Sequence, residues 1–226
     1  MRRLPPGGLY GILDTRWLSS EALPKAAEAF LAGGCSVLQL RMKEASDTER
    51  LSAQRAVCDV AAKHPSTVWL AINDRADLAG VLLREAPDNV VPILHLGQDD
   101  MAPRDARRLL GDDLIVGLST HNFTQVLAAN EEPVDYLGFG PVFETETKAK
   151  PDPTTGIPGL ESALSVAAKP VVAIGGVTED RVQACRKAGA VWVVVVGGLL
   201  RDAILDDEAG QRDLGARVAT LVEVAS

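Results

Sequence analysis

VWLAINDRADLAGVLLR, residues 68–84, contains one complete unit of a pattern that fills the chain. Residues 68–72 are continuously apolar, which reads as a strand buried on both faces. Asn73, Asp74 and Arg75 end that run with polar groups, and residues 77–84 read as the helix that follows. Upstream, residues 9–13 and 37–40 read as strands, each followed by a helix, over 20–32 and 47–62. Ser20 is the expected N-cap of the first helix and Gly33-Gly34 its stop; Asp47 is the expected cap of the second, with Pro65 beyond its end. Downstream, strands are expected over 93–96, 114–118, 136–139, 171–174 and 191–196. Helices are expected over 103–110, 123–129, 160–168, 179–188 and 212–224. Residues 85–92, with two prolines, read as a surface insertion, and 151–159 as a Gly/Pro-rich loop.

Apolar strands alternating with helices imply a parallel sheet covered by helices. Eight such units in sequence favour closure into a single α/β domain over residues 1–226, a (β/α)8 TIM barrel, ahead of an open doubly wound sheet.

The bulk numbers fit that reading. The chain has 226 residues, 46% hydrophobic and 24% charged, with a net charge of −8. No broad basic face is available for nucleic acid. Cys35, Cys58 and Cys185 are widely spaced and form no CxxC pair, which argues against disulfides and zinc and for a reducing cytoplasm. MRRLPPGG at the N-terminus has no long apolar run after it, so no signal peptide is expected. The apolar run 191–200 is too short to span a bilayer.

In such barrels chemistry gathers at the C-terminal strand ends. Gln39, Arg41 and Lys43 alternate after the second strand and face one side. Two cations and an amide suit a diphosphate, because a guanidinium grips phosphate oxygens bidentately. Asp74 after the third strand and Asp100 after the fourth are a candidate ligand pair for Mg²⁺; a helix-cap role is the alternative for each. Ser119 follows the fifth strand and reads as a hydrogen-bonding group, since G-x-S-x-G fails at His121. His121 reads as a helix-start residue, and His64 and His95 as structural. After the sixth strand, Thr145, Thr147 and Lys148 can donate to phosphate. Gly175-Gly176 after the seventh strand and Gly197-Gly198 after the eighth suit a monophosphate held by backbone N–H groups.

Gln39-x-Arg41-x-Lys43, Asn73-Asp74, Gly97-Gln98-Asp99-Asp100, Gly117-x-Ser119, Gly138-Phe139-Gly140-Pro141-Val142-Phe143, Thr145-x-Thr147-Lys148 and Ala173-Ile174-Gly175-Gly176-Val177-Thr178 together resemble the thiamine phosphate synthase family, in order and at family-like spacing. The resemblance runs from about Leu9 to Leu200. It departs at Glu144 and Glu146, where prolines are usual, at Ala190-Val191-Trp192, at Gly197-Gly198 in place of Ser-Ala, and in a longer stretch between Asp77 and His95.

The resemblance implies a Mg²⁺-dependent transferase that joins 4-amino-2-methyl-5-hydroxymethylpyrimidine diphosphate to 4-methyl-5-(2-hydroxyethyl)thiazole phosphate and releases pyrophosphate. It implies Gln39, Arg41, Lys43, Asn73, Ser119 and Lys148 as the catalytic, pyrimidine-diphosphate residues. Thr145, Thr147, Gly176, Val196 and Gly197 are implied at the thiazole phosphate, and Asp74 and Asp100 at the metal. The expected partners are these small molecules, with no nucleic acid and no membrane; a homo-oligomer is compatible with the sequence. Two alternatives share the barrel. A thiazole tautomerase-type isomerase would use a base such as His121 and would not need the cationic ladder or the aspartate pair; a non-catalytic thiamine-phosphate binding protein has its only support in Gly197, Glu144 and Glu146.

Overall fold

The computed structural model describes residue 4 and residues 7–145 and 153–226. The apolar runs become eight strands: β1 (Gly8–Asp14), β2 (Val37–Arg41), β3 (Val68–Asn73), β4 (Val90–Leu96), β5 (Ile115–Thr120), β6 (Tyr136–Phe139), β7 (Val171–Ala173) and β8 (Trp192–Val193). Each pairs in parallel with the next, and β8 closes on β1 through Gly8↔Trp192 and Leu9↔Val193. The sheet is therefore the closed (β/α)8 barrel, not the open alternative.

The helices are α1 (Leu23–Ala32), α2 (Asp47–Ala62), α3 (Ala76–Glu85), α4 (Pro103–Leu110), α5 (Phe123–Asn130), α6 (Gly156–Val166), α7 (Glu179–Ala188), the short α8 (Gly197–Leu200) and the closing α9 (Glu208–Ala225). Every residue of β1 is buried because both faces of the strand are covered. Among the described residues, no helix is long and apolar enough to cross a membrane.

Several local expectations are corrected. Ser20 does not cap α1; residues 20–22 form a 3-10 turn, and α1 starts at Leu23 with Pro24 in its first turn. Asp47 does not cap α2. Ser46 does: it accepts from the Glu49 N–H while the Glu49 carboxylate accepts from the Ser46 N–H, a complete capping box. Asp47 is thereby free to pair with Arg75 and Arg50. Residues 85–92 are not wholly an insertion, because Val90, Val91 and Pro92 belong to β4. Pro92 pairs with Leu70 on β3 and lies ahead of the first β4–β5 pair, Ile93↔Ile115, where a missing N–H breaks no ladder. β8 is only two residues long; Val194 still donates to the Ala173 carbonyl of β7 at 2.9 Å, and the chain then turns into α8.

Strand register sets what fills the barrel. Asn73 is level with His95, His95 with Gly117, and Gly117 with Tyr136. A Cβ on Gly117 would lie 2.1 Å from Cζ of Tyr136, so the bare glycine is the space that the tyrosine ring occupies. That ring and Tyr10 are fully buried and lie 6.2 Å apart across the interior. The core is thus closed by polar-tipped aromatics directly beneath the C-terminal mouth.

Candidate active site

The C-terminal ends of β2, β3 and β4 form one side of the mouth. β2 alternates so that Gln39 and Arg41 point inward, with Lys43 two residues beyond. Arg50 of α2 holds this strand end by donating to the carbonyls of Met42 at 2.9 Å and Lys43 at 2.8 Å. Gln39 is buried, and its Nε2 donates to Asn73 Oδ1 at 2.7 Å. Lys43 pairs with Asp74. Lys43, Asn73, Asp74 and Asp100 line a cavity of about 250 Å³ that also touches Arg50 and Gln54. Lys43, Asn73 and the two metal candidates are therefore brought together, with Gln39 joined to them through Asn73; Arg41 does not line this cavity.

The cationic ladder is neutralised in place. Arg41 Nη1 lies 2.7 Å from Asp14 Oδ2, at the polar end of β1. Asp14 is 1% exposed, and its other oxygen accepts from the Arg16 N–H at 2.9 Å. A carboxylate so deep in the protein requires such a partner.

Asp74 adopts φ 64°, a left-handed conformation uncommon for a residue with a side chain. Its N–H donates to the His95 carbonyl at 2.8 Å, which fixes this turn to β4. Asp100 accepts the Gly97 N–H at 2.7 Å. Burial raises the Asp100 carboxyl above the usual range, and the neighbouring Asp74 carboxyl raises it further. A carboxyl whose charge is disfavoured by burial and by its neighbour, with a second carboxylate beside it, is a donor set that a hard divalent cation satisfies. Among the described residues the set is this pair, which fits a hard cation that completes its shell with water and phosphate oxygens.

Ser119 is the penultimate residue of β5 and not part of the loop after it. Its Oγ lies 2.9 Å from His95 Nε2, and His95 Nδ1 lies 2.8 Å from the Tyr136 hydroxyl. Burial lowers the His95 imidazole to about 4, so the ring is neutral at ordinary pH. Burial pushes the Tyr10 and Tyr136 phenols up. Gln98 donates to the Ser119 carbonyl at 2.5 Å and ties the β4 loop to β5. His121 Nδ1 lies 2.5 Å from the Gly140 carbonyl, and Asn122 is the N-cap of α5.

The opposite side of the mouth is built from β6, β7 and β8. The loops after β6 and β7 are zipped by Val142 N–H to Ile174 O and Phe143 N–H to Gly175 O, each 2.9 Å. Gly175 and Gly176 have φ 93° and 61°, values that glycine adopts freely. Arg181 donates to the Gly176 carbonyl at 2.9 Å and lies 4.6 Å over the Phe143 ring. Val196 precedes α8, and Gly197 begins it. Among the described residues, a Cβ on Gly197 would meet only Trp17 Cζ2, at 3.9 Å. Thr145 is at the end of the described β6 loop; Glu146, Thr147 and Lys148 lie outside the described residues.

Reading the sequence leaves out Tyr10, Asp14 and Tyr136 and treats His95 as structural, yet Tyr10, Asp14 and His95 touch Gln39, Arg41 and Ser119, and Tyr136 bridges Tyr10 to His95. Asp14 obeys the same rule as Asn73, a polar group ending an apolar run, and that signal was available. The tyrosines gave none, because an aromatic inside a strand is ordinary core.

The comparisons agree with the motifs. Residues 9–199 match the family model described as thiamine monophosphate synthase. A thiamine-phosphate synthase of Koribacter versatilis is 38% identical over 198 residues, covering 86% of this chain and 89% of the relative. One from Anaeromyxobacter dehalogenans is 39% identical over 209 residues, covering 92% and 86%. The solved thiamine phosphate pyrophosphorylase of Pyrococcus furiosus superposes with a TM-score of 0.74 at 27% identity, covering 96% of this chain and 95% of that one.

Proposed function

This chain belongs to the thiamine monophosphate synthase family, and we propose that the mouth of its barrel carries the family's reaction through the residues described above. The enzyme condenses 4-amino-2-methyl-5-hydroxymethylpyrimidine diphosphate with 4-methyl-5-(2-hydroxyethyl)thiazole phosphate to give thiamine phosphate and pyrophosphate. The observation that carries the site assignment is the convergence of Lys43, Asn73, Asp74 and Asp100 on one cavity.

In this reading the diphosphate lies along β2 and β3. The C–O bond at the pyrimidine methylene breaks, its electron pair leaves with pyrophosphate, and the electron-rich aminopyrimidine carries the positive charge. The thiazole nitrogen then forms the C–N bond with its lone pair. Neither step needs a strong base or a covalent enzyme intermediate. The protein's task is to stabilise the departing charge, and fixed donors in a water-poor site do that with little reorganisation. Arg41 and Lys43 supply charge, and Gln39 orients the Asn73 amide. Lys148 and Thr147 are assigned to the phosphates by their place in the motif. Asp74 and Asp100 are the residues that would hold Mg²⁺, which when bound neutralises diphosphate charge. Thr145, Gly176, Val196 and Gly197 would receive the thiazole phosphate on the other side.

Residues 1–226 act in this reading as one catalytic domain. A cytoplasmic location is supported by Cys35, Cys58 and Cys185, all buried free thiols. The deciding experiment is Mg²⁺-dependent pyrophosphate release with both substrates present and with each withheld. Release only with both is expected; no release with both would return the chain to the isomerase or binding-protein alternatives.

A further inference from the structure

Six consecutive strands each contribute one side chain to an unbroken hydrogen-bond chain across the barrel. Gln39 Nε2 donates to Asn73 Oδ1 at 2.7 Å. The Tyr10 hydroxyl donates to Gln39 Oε1 at 2.9 Å. Tyr10 and Tyr136 hydroxyls are 3.1 Å apart. Tyr136 is 2.8 Å from His95 Nδ1, and His95 Nε2 is 2.9 Å from Ser119 Oγ. We propose that this chain fixes the Ser119 hydroxyl as a hydrogen-bond acceptor for the pyrimidine substrate, with His95 as the residue that positions its proton.

The inference follows from counting protons. Each phenol and the serine hydroxyl has one proton, and a neutral imidazole has one N–H. His95 contacts two hydroxyls through its ring nitrogens and stacks on the Tyr136 ring at 5.5 Å. Only two proton orders satisfy every link while spending each hydroxyl and imidazole proton within the chain. In the first, Gln39 donates to Asn73, Tyr10 to Gln39, Tyr136 to Tyr10, His95 Nδ1–H to Tyr136, and Ser119 to His95 Nε2. In the second, every donor and acceptor is exchanged. A change at one end therefore reverses the other, as in any chain of single-proton links.

The Asn73 end selects the order. Phosphate oxygens accept and cannot donate, so an asparagine beside a diphosphate must present its N–H₂ and turn its carbonyl away. This step rests on the proposed placement of the diphosphate at Asn73. The structure has Asn73 Oδ1 turned toward Gln39, which is the first order. Ser119 then spends its proton on His95 and offers only lone pairs to the substrate. The matching ligand group is an N–H donor. The aminopyrimidine carries one in its exocyclic amine, whereas neither phosphate ester carries any. Ser119 thus reads the amine, while Asn73, at the other end of the same chain, serves the diphosphate.

The test is the imidazole tautomer, read by ¹⁵N NMR of substrate-free, histidine-labelled protein. His64→Gln and His121→Gln spectra assign His95 by elimination. A protonated Nδ1 with an unprotonated Nε2 is expected near neutral pH; the opposite tautomer overturns the proposal without needing any variant of the chain itself. Tyr136→Phe breaks the middle of the chain and should release the tautomer into a mixture. It should lower kcat/KM for the pyrimidine substrate roughly ten-fold, from the loss of one net hydrogen bond, with KM for the thiazole phosphate unchanged. An unaltered tautomer and unaltered kinetics in Tyr136→Phe would remove His95 from this role. Wild-type protein that holds the Nδ1–H tautomer but condenses no substrate would instead sink the assigned reaction and leave the chain standing.

Discussion

Arg41 Nη1 and Asp14 Oδ2 lie 2.7 Å apart, with the carboxylate sealed under the mouth and the guanidinium one-fifth exposed at it. The pair makes the cation of β2 a fixed group and not a mobile surface charge. Asp14→Ala leaves Arg41 partly buried without its counter-charge and the Arg16 N–H without its acceptor. The expected loss is about 1–3 kcal/mol of stability, with weaker pyrophosphate binding because Arg41 is no longer aimed. Asp14→Asn keeps an oxygen for Arg16 and should recover part of the stability but not the binding. Urea denaturation and calorimetric titration with pyrophosphate check the two effects; full affinity in Asp14→Ala would mean that Arg41 is held by other contacts.

Asp74 and Asp100 should behave as a pair whose function opposes stability. Each alanine variant is expected to abolish Mg²⁺-dependent turnover with the barrel intact by circular dichroism. The Asp100 carboxyl is raised by burial and by Asp74, so its charged form disfavours the folded state. A group raised in the folded protein contributes stability below its unfolded pKa and loses it as pH rises through the folded value. Asp100→Asn should therefore melt higher than the parent at pH 8 in EDTA while losing activity. A lower melting temperature would show that the two carboxylates do not repel in the folded protein.

The strand–helix alternation was legible because buried parallel strands write themselves as apolar runs, and residues 68–84 already contain the whole unit. The ends were less so. Ser46 and Asp47 are both good caps by composition, and only the Glu49 contact decides between them. Pro92 masked the start of β4, because a proline in a strand is admissible only where the neighbouring strand has not yet begun. At the site, Asp74 and Asp100 stood out as charges ending apolar runs. The Tyr10–Tyr136–His95 contacts did not, since they depend on register among strands distant in sequence. Lys148 and Thr147 lie outside the described residues, so for them the motif is the only guide.

Gly117 is small because Tyr136 needs its volume. Its Cβ would lie 2.1 Å from Cζ and 2.5 Å from the hydroxyl of that tyrosine. Gly117→Ala must displace the ring or bend β5, a form of overpacking expected to cost about 1–3 kcal/mol, or roughly 2–10 °C in melting temperature for a chain of this size. The displaced hydroxyl should also lose its contact with His95. Thermal melting of Gly117→Ala, alone and with Tyr136→Phe, tests the cause. If the ring is what resists the new methyl, the loss of its hydroxyl should relieve part of the cost; equal melting losses with and without the hydroxyl would place the strain on the backbone.

Gly176 and Gly197 both lie in the chain that follows the C-terminal ends of β7 and β8 but are glycines for different reasons. At Gly176, φ is 61° and a Cβ would lie 2.1 Å from the Glu144 carbonyl oxygen and 2.7 Å from the Phe143 carbonyl carbon. Neither backbone atom can yield, so Gly176→Ala should cost about 1–3 kcal/mol or more from strain alone. It should also separate the β6 and β7 loops that the Phe143–Gly175 bond joins. At Gly197 the only neighbour of a new Cβ among the described residues is Trp17 Cζ2 at 3.9 Å, an ordinary contact. Gly197→Ser should therefore leave stability within about 0.5 kcal/mol of the parent. If the thiazole phosphate lies against this backbone, the serine keeps or improves its KM, and the bulkier Gly197→Val raises it while KM for the pyrimidine diphosphate holds. Steady-state kinetics with each substrate varied in turn decide the matter. A Gly197→Val enzyme with both constants unchanged would move the phosphate away from α8, leaving the glycine there as a matter of space beside Trp17.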